Sequence, residues 1–389
     1  MQRDNIIEIL EELTQVIPPV SSAMTLPPRC YSDLAWLERE QQLVFRNSWV
    51  AVGRIERWQK TGDFVALEIA GVPTVVMKDE TGALHAYANS CRHRGMKLLQ
   101  GEGQCKVVVC PFHGWTYDLE GALISAPRME TCEQLGTESL GLVEFRLDTR
   151  DGFVFVCMDP DQASLEEWLG DFSDVHAPWL LEKLVSTRVR EFQVDCNWKS
   201  FIEVFNEYCH LPYVHPDSIT GYYREPDPVD IVIGEYTTQF GVTDGTAALL
   251  EDSRQHALPT APGLSGRNAT GTRYTWIYPN LTFAACFDSL WMYQAYPLTV
   301  DRCHVVQTIC FPQASLEVPN FKARAEAYYQ RIDTALKEDL PFLEAQQQGL
   351  TSPFARQGRF SALEPSVGNF ACWYADKLSA GGASVTNSL

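Results

Sequence analysis

The segment from residue 197 to residue 215, NWKSFIEVFNEYCHLPYVH, contains two histidines and an acid at close spacing. His210 and His215 are five positions apart, and Glu207 precedes the first of them by three. Imidazole nitrogens and carboxylate oxygens together suit non-haem iron, which also keeps open positions for its reactants. We therefore interpret this segment as part of an iron site that lacks one further oxygen ligand.

The arrangement of the two histidines depends on a proline between them. Glu207 and His210 are three apart and are expected to share a helix face, whereas residues five apart, such as His210 and His215, point away from each other on an ideal helix. Pro212 removes a backbone donor and distorts the helix at this point. We expect the irregular turn to bring both imidazoles onto one metal ion. Taken alone, two histidines near a proline are more often packing or surface residues, so the rest of the chain decides.

Length and charge narrow the classes of protein to which the chain can belong. Its 389 residues exceed one ordinary core and favour two domains. The formal net charge of −19 argues against binding to nucleic acid or to an anionic membrane surface. The N-terminus lacks the basic start and apolar core of a signal peptide, and no later run is long enough to span a bilayer. We expect a cytoplasmic protein whose twelve cysteines are mostly free and buried, except any that hold a metal.

Three segments differ in their hydrophobic pattern. Residues 1–45 have apolar positions at helical spacing and are expected to form a helical segment that packs on the last domain. Residues 46–158 consist of short alternating or β-branched runs between turn residues, which predicts an all-β domain. Residues 159–389 contain predicted strands followed by a long helix. The sequence therefore predicts an α+β protein with the β module inserted ahead of the last domain.

The last domain has recognisable predicted elements. Three runs predict successive strands, at residues 272–287, 290–298 and 303–312. Residues 318–350 predict a long helix, kinked at Pro341 and capped at Gly349. Residues 224–270 are rich in Pro, Gly and Asp and predict long loops around a pocket.

Two predicted loops of the β domain each pair one cysteine with one histidine. The candidate ligands are Cys91 and His93 in the first loop, and Cys110 and His113 in the second. Two thiolates and two imidazoles fit a [2Fe–2S] cluster with the cysteines on one iron and the histidines on the other, and the neutral imidazoles raise its potential. The alternative is a zinc site with the same four residues. Zinc is disfavoured because the His-x3–5-His half of a zinc finger is missing.

Both loops resemble the Rieske cluster signature, Cys-x-His followed by Cys-x-x-His with glycine and aromatic flanks. By that resemblance all four residues are cluster ligands. NWK followed by E-x-x-H-x4-H resembles the catalytic subunit of the Rieske non-haem iron oxygenases. The resemblance extends over about residues 30–350. It implies an all-β Rieske [2Fe–2S] domain inserted ahead of a helix-grip, START-like catalytic domain with an antiparallel sheet and a long C-terminal helix.

The resemblance also implies the ligands of a second metal centre. In this family two histidines and a later carboxylate form a facial triad on Fe(II), and His210 and His215 match the histidines. The segment KEDLPFLEAQQQGL resembles the family at the carboxylate position, where Asp339 matches and Glu338 is the neighbour that could be confused with it. Read alone, this helix would carry Glu338, Asp339 and Glu344 on a solvated face.

Glu207 matches the family position of an acid between the two metal centres. There an Asp or Glu hydrogen-bonds a cluster histidine of the neighbouring subunit and an iron-ligand histidine of its own. Most members have Asp, and Glu resembles the subgroup that acts on quaternary amines. An acid in this position fixes the tautomer and orientation of a ligand histidine. We therefore predict that Glu207 has a catalytic role, in electron transfer.

The implied partners are a reductase, O2 and further copies of the chain. No strand–GxGxxG–helix pattern or ferredoxin-type cysteine run is evident, so a separate reductase of flavin or ferredoxin type must deliver electrons from NAD(P)H. The resemblance implies a homotrimer in which O2 is activated only with substrate present. Mono- and dioxygenation both stay open.

A small organic molecule is the expected substrate, in a pocket for which seven large side chains are available. These are Trp276, Tyr278, Phe283, Phe287, Trp291, Met292 and Tyr293. Such residues can cage a trimethylammonium group, stack on an aromatic substrate, or belong to the core. Three features favour hydroxylation or N-demethylation of a quaternary amine. They are Glu207, the acidic net charge, and the run WIYPNL, which resembles choline- and betaine-type oxygenases. Aromatic-ring hydroxylation is the alternative, and a non-catalytic Rieske electron carrier is a third possibility.

Overall fold

The computed structural model describes residues 2–16, 22–129, 140–219, 221, 223–224 and 226–386. Its contacts divide the chain into two compact units. One unit is Phe45–Leu165, and the other combines Met1–Val44 with Glu166–Leu389. The domain boundaries expected from the sequence stay a prediction.

Ten strands are found in the described part of the unit Phe45–Leu165. They are Val50–Arg54 (β1), Asp63–Ile69 (β2), Val72–Lys78 (β3), Leu84–Ala88 (β4), Glu102–Gln104 (β5), Val108–Val109 (β6), Thr116–Tyr117 (β7), Leu123–Ser125 (β8), Glu144–Arg150 (β9) and Phe153–Cys157 (β10). Seven form an antiparallel sheet in the order β1-β10-β9-β4-β3-β2-β5, and β6-β7-β8 form a second sheet. The strand β10, FVFVC, is apolar and buried at every position, because it lies between two neighbours and is covered on both faces.

The second unit combines helices with one antiparallel sheet. Its strands are Leu184–Val194 (β11), Tyr236–Val242 (β12), Gly271–Ile277 (β13), Leu281–Cys286 (β14), Leu290–Thr299 (β15) and Arg302–Pro312 (β16). They lie in the order β11-β16-β15-β14-β13-β12. The helices of the described chain are Gln2–Leu13 (α1), Leu34–Glu40 (α2), Leu165–Leu169 (α3), Phe172–His176 (α4), Trp198–Phe205 (α5), Leu211–Val214 (α6), Phe321–Leu350 (α7) and Pro365–Thr386 (α8). The predicted α+β class, with antiparallel sheets and a long helix near the C-terminus, is confirmed.

Two details of the predicted strands are wrong. The run 272–287 forms two strands, β13 and β14, because the chain reverses at the cis peptide bond between Tyr278 and Pro279. The region 224–270 is not all loop, because it contains β12. A hydrophobic pattern does not predict β12, because several of its buried residues are polar. Thr238, for example, donates its hydroxyl to the carbonyl of Tyr274 at 3.0 Å, so the hydroxyl is satisfied within the sheet.

The long helix α7 spans 30 residues, or about 45 Å at an α-helical rise. Pro341 lies inside it, and the helix continues past Gly349 to Leu350, so the predicted cap at Gly349 is wrong. The helix packs on β16 through Tyr328 and Phe311, whose ring centroids are 5.2 Å apart. None of the helices in the described residues is long and apolar enough to cross a membrane.

The NWK motif fixes the start of α5 in the second unit. Asn197 caps the helix by accepting the N–H of Lys199 at 3.0 Å. The Lys199 ammonium is fully buried, pairs with the carboxylate of Glu40 and donates to the carbonyl of Cys30 at 2.8 Å. Trp198 donates its indole N–H to the same carboxylate at 3.1 Å. A buried ion pair is tolerated only when further hydrogen bonds satisfy both charges, and here they hold α5 against the N-terminal segment.

Candidate metal centres and substrate cavity

Two loops of the same shape carry the Cys–His pairs of the β unit. Between β4 and β5, the N–H of Gly95 donates to the carbonyl of Cys91 at 2.8 Å, and between β6 and β7 the N–H of Gly114 donates to the carbonyl of Cys110 at 3.0 Å. Both glycines have positive φ, 74° and 72°, a conformation that glycine adopts without steric cost. The repeated turn explains why each motif ends in glycine.

The cysteines of these loops lie deep and the histidines lie further out. Cys91 and Cys110 are each 2% exposed, whereas His93 is half-buried and His113 is exposed. The two imidazole rings are 4.7 Å apart between centroids, and Trp115 stacks on His93 at 4.9 Å. The structure thus brings His93 and His113, both predicted as cluster ligands, close together, and the thiols of the same two loops are buried.

The chemistry of this donor set fits a [2Fe–2S] cluster. The cysteines that the structure describes are free, so Cys91 and Cys110 are available as thiolates. Nδ1 of His93 is buried without a hydrogen-bond partner among the described residues, a costly state that binding to iron would relieve. The hydroxyl of Tyr117 lies 3.3 Å from the sulfur of Cys91, where it can donate to a thiolate. Hydrogen bonds to cluster sulfurs are one of the ways in which a protein sets the reduction potential.

In the second unit, the segment with the two histidines is broken rather than helical. The prediction that Glu207 and His210 share a helix face is wrong, because α5 ends at Phe205. The carboxylate of Glu207 accepts the backbone N–H groups of Cys209 and, at 3.2 Å, of His210, and these bonds close a turn in place of the helix. The single helical turn α6, which contains Pro212, follows. The expected irregular turn is therefore present, although it begins earlier than predicted.

Three ligand atoms converge at this turn. Those of His210, His215 and Asp339 all lie within 4.8 Å of one another. Oδ1 of Asp339 is 2.9 Å from Nε2 of His215 and 3.7 Å from Nε2 of His210. Two ligands at right angles, each about 2.1 Å from one ion, lie about 3 Å apart. The spacing is therefore that of three ligands on one face of a metal ion.

Each histidine gives its other ring nitrogen to a glutamate. Nδ1 of His210 is hydrogen-bonded to Glu207, and Nδ1 of His215 is 2.7 Å from Glu338. Such acids fix the tautomer that leaves Nε2 free for a metal. The structure thereby separates two acids that are adjacent in the sequence: Glu338 faces Nδ1 of His215, whereas Asp339 faces Nε2.

The electrostatics of this site fit a cation. Oδ1 of Asp339 is buried and accepts no well-aligned hydrogen bond. Burial lowers the pKa of His215, but the close carboxylates of Asp339 and Glu338 outweigh burial and raise the pKa above its usual value. Two imidazoles and one carboxylate are also the donor set of mononuclear non-haem Fe(II). The residues present therefore fit such an ion.

A cavity beside these three residues is lined by them and by side chains from several elements of the same unit. Seven aromatic side chains, from α5, the turn after it, the following loop, β13 and β15, line it together with six aliphatic ones. The seven aromatic side chains, which we call the aromatic wall, are Phe201, Phe205, Tyr208, Tyr223, Tyr274, Trp291 and Tyr293.

The aromatic wall is continuous. Phe205 and Tyr274 are 5.9 Å apart between ring centroids, Tyr274 and Trp291 are 6.5 Å apart, and Tyr208 and Tyr274 are 5.8 Å apart. These rings meet edge to face, an arrangement that aromatic pairs prefer. The rings therefore form one packed cluster that lines the same cavity as the candidate iron ligands.

Of the seven large side chains that the sequence made available for a pocket, only two line the cavity. Trp291 and Tyr293, two apart on β15, line the cavity, and Met292 between them lies in the core. Trp276 is also core, because it stacks on Phe370 of α8 at 3.9 Å. The remaining three, Tyr278, Phe283 and Phe287, do not line the cavity either.

Sequence reasoning missed Tyr208, Tyr223 and Arg331 as cavity residues. A signal for Arg331 was available on the long helix. Arg331, Ala335 and Asp339 follow one another at intervals of four, and such residues share a helix face. Extending this stripe back from the predicted ligand Asp339 identifies Arg331.

Comparison with known protein families identifies the family to which this chain belongs. A model described as the ring hydroxylating alpha subunit (catalytic domain) matches residues 175–380, more than half of the chain. The chain belongs to the ring-hydroxylating alpha-subunit family. A model of the Rieske [2Fe-2S] domain matches residues 48–140 of this alpha subunit. The predicted family, a Rieske non-haem iron oxygenase with a [2Fe–2S] cluster and a mononuclear iron, is confirmed.

Two alternatives are thereby wrong. A zinc site in the β unit conflicts with the Rieske match, and a non-catalytic electron carrier conflicts with the catalytic-domain match. The alpha subunit is the terminal oxygenase of its system, and it acts with O2, an organic substrate and electrons from a separate reductase.

Two relatives of this alpha subunit match over most of its length. The chloroplastic choline monooxygenase of Beta vulgaris is 28% identical over 386 residues, which cover 96% of this chain and 81% of the relative. The carnitine monooxygenase oxygenase subunit of Escherichia coli K12 is also 28% identical, over 87% of this chain and 88% of the relative.

The fold is shared with an oxygenase of a different substrate class. Naphthalene 1,2-dioxygenase from Rhodococcus sp., bound to indole, matches with a TM-score of 0.77 at 19% identity, over 97% of this chain and 98% of the other. Because the fold accommodates both substrate classes, it does not by itself select the substrate.

Proposed function

We propose that this alpha subunit hydroxylates an N-methyl group of a small quaternary amine. The observation that carries the proposal is the aromatic wall around the cavity beside His210, His215 and Asp339. A quaternary ammonium group has no N–H to donate, so it is recognised mainly by cation–π attraction to ring faces. Two relatives that match over most of the chain are named for choline and for carnitine, both quaternary amines.

We assign the metal ligands from the geometry of the two centres. The iron ligands are His210, His215 and Asp339. The cluster ligands are Cys91, His93, Cys110 and His113. When bound, the iron supplies O2 activation and the cluster supplies electrons one at a time.

The chain's own residues orient this chemistry. Glu207 and Glu338 hold the N–H tautomers of His210 and His215. We further propose that Glu207 links His210 to a cluster histidine of a neighbouring subunit, in a homotrimer. The apolar wall of the cavity excludes bulk water from the space where the substrate meets the iron.

The proposed reaction consumes O2, two electrons and two protons. One oxygen atom enters an N-methyl C–H bond and the other leaves as water. The resulting N-hydroxymethyl group then breaks at its C–N bond, which gives a tertiary amine, formaldehyde and one proton. We propose a cytoplasmic location, with NAD(P)H supplying the electrons through a reductase of flavin or ferredoxin type.

The experiment that tests this proposal is a coupled assay with reductase, NADH and O2. We expect a panel of quaternary amines to contain at least one substrate for which NADH consumption matches formaldehyde release. Aromatic acids and hydrocarbons form the second arm. If only members of that arm are oxidised, the proposed substrate class is wrong.

A cation–π role for the wall predicts a charge-dependent defect in one variant. Phe205→Leu is expected to weaken binding of a trimethylammonium compound by about 2- to 30-fold, and to weaken binding of its uncharged tert-butyl analogue much less. Phe205→Tyr, the matched control, keeps a ring and most of the affinity. Equal losses for both compounds would show that Phe205 contributes only shape. Calorimetric titration of the holoenzyme measures all these affinities.

Aromatic-ring hydroxylation is the second candidate function. The same rings can stack on a planar substrate, and Tyr274 and Trp291 both line the cavity. The second arm of the assay tests this candidate, with a hydroxylated aromatic product and no formaldehyde as its expected result.

A further inference from the structure

Arg331 stands out among the residues that line the substrate cavity. It lies on α7, is 3% exposed, and its guanidinium carbon is 5.0 Å from the centre of the Trp291 ring. An arginine is always charged, and a buried arginine is normally paired with a carboxylate. In a cavity lined mainly by aromatic and aliphatic side chains, this cation requires an explanation.

No carboxylate of the described residues lies within ion-pair distance of this guanidinium. Its one hydrogen bond to a described residue runs from Nη2 to the hydroxyl of Tyr223, at 2.7 Å. Nε is buried and has no partner among the residues that the structure describes. The guanidinium therefore keeps donors for a bidentate acceptor that these residues do not supply.

The two acids that line the same cavity are committed elsewhere. Glu207 is hydrogen-bonded to His210, and Asp339 faces both candidate ligand histidines. Asp339 is also eight residues further along α7, which is a rise of about 12 Å. Neither acid therefore neutralises Arg331. The ring of Trp291 offsets part of the charge, but it accepts no bidentate hydrogen bond.

We propose that Arg331 binds a carboxylate group of the substrate. This inference rests on the proposed function, because it takes the cavity beside the iron as the substrate site. A substrate with a cationic trimethylammonium end and a carboxylate end then satisfies both features of the cavity, the aromatic wall and the buried arginine. A cation without a carboxylate, such as choline, is disfavoured, because it leaves Arg331 unpaired next to a second positive charge.

The helix also limits the length of the substrate. Arg331 and Asp339 are separated by about two turns of α7, so the carboxylate site and the iron lie several bonds apart. A spacer of three carbons between ammonium and carboxylate reaches further than the single carbon of glycine betaine. The matched probes are therefore γ-butyrobetaine and (4-hydroxybutyl)trimethylammonium, which have the same chain length and differ in the carboxylate.

Calorimetric titration of the holoenzyme with both probes, without O2, tests the proposal. We expect the wild type to bind γ-butyrobetaine at least about 30-fold more tightly than the alcohol, and Arg331→Gln to bind the two equally. Arg331→Lys keeps the charge and is expected to keep part of the preference. The matched control is Arg188→Gln. Arg188 does not line the cavity, and it pairs with Asp333, which lies on α7 as Arg331 does.

The outcomes separate this inference from the proposed function. If the wild type binds both probes equally, or if Arg331→Gln keeps the preference, the carboxylate site is refuted and the quaternary-amine proposal stands. If neither probe binds, but an aromatic carboxylate binds and Arg331→Gln abolishes that binding, the carboxylate site stands and the quaternary-amine proposal fails. The comparison of probes within the wild type holds even if Arg331→Gln does not fold.

Discussion

Replacement of Asp339 by alanine is expected to reduce oxygenation at least about 100-fold, a larger effect than loss of an outer hydrogen-bond partner usually has. Among the described residues, Asp339 is the one carboxylate close to Nε2 of both histidines, at 2.9 and 3.7 Å. Without it, two neutral imidazoles remain and a divalent ion loses the only negative charge among its proposed ligands. Formaldehyde release with reductase and NADH measures the loss. The visible spectrum of the cluster is expected to be unchanged, because its ligands lie in the other unit.

Glu344→Ala is the matched control for this experiment. Glu344 lies five residues after Asp339 on the same helix, and its side chain is exposed. We expect this variant to keep wild-type activity. Full activity of Asp339→Ala would refute the proposed triad.

Glu207→Gln is expected to slow turnover by about 10- to 100-fold while both metal centres stay occupied. The variant keeps the size of the side chain and removes its negative charge. Glu207 holds Nδ1 of His210, so loss of the charge weakens both the orientation of that imidazole and the proposed link to a neighbouring subunit. Stopped-flow oxidation of the reduced cluster, in the presence of substrate and O2, measures the electron-transfer step directly.

The variant Glu338→Gln distinguishes two roles that Glu207 could have: orienting a ligand histidine, and linking that histidine to a cluster in a neighbouring subunit. Glu338 makes the equivalent contact with His215, at 2.7 Å, but matches no bridging position in the family. We expect Glu338→Gln to weaken iron binding and to leave turnover per bound iron close to the wild type. If Glu207→Gln behaves in the same way, Glu207 only positions His210. Undiminished turnover in Glu207→Gln would exclude any role in electron transfer.

Sites whose residues are close in sequence could be predicted from sequence alone. Each cluster loop is a short turn, in which Cys91 and Cys110 are followed by a histidine and a glycine, so local spacing specifies the geometry. His210 and His215 were predictable for the same reason, because a proline-containing turn connects them. Their assignment as ligands stays a prediction that the variants above test.

The substrate cavity could not be predicted in the same way. Whether an aromatic residue lines it depends on which face of a strand meets the helices, and this separates Trp291 from Met292. The choice between Glu338 and Asp339 likewise depends on the rotation of α7 against a turn more than a hundred residues earlier. Spacing places Arg331 on the helix face of Asp339, but an arginine on a polar helix is usually solvated, and the packed structure was needed to show that this one is buried.

The central claim is that His210, His215 and Asp339 hold a mononuclear iron in addition to the Rieske cluster. Iron and inorganic sulfide per chain test it most directly, measured on the wild type, Asp339→Ala and Glu344→Ala. We expect about three irons and two sulfides in the wild type and in Glu344→Ala, and about two irons and two sulfides in Asp339→Ala. Three irons retained in Asp339→Ala, or only two in the iron-loaded wild type, would contradict the claim.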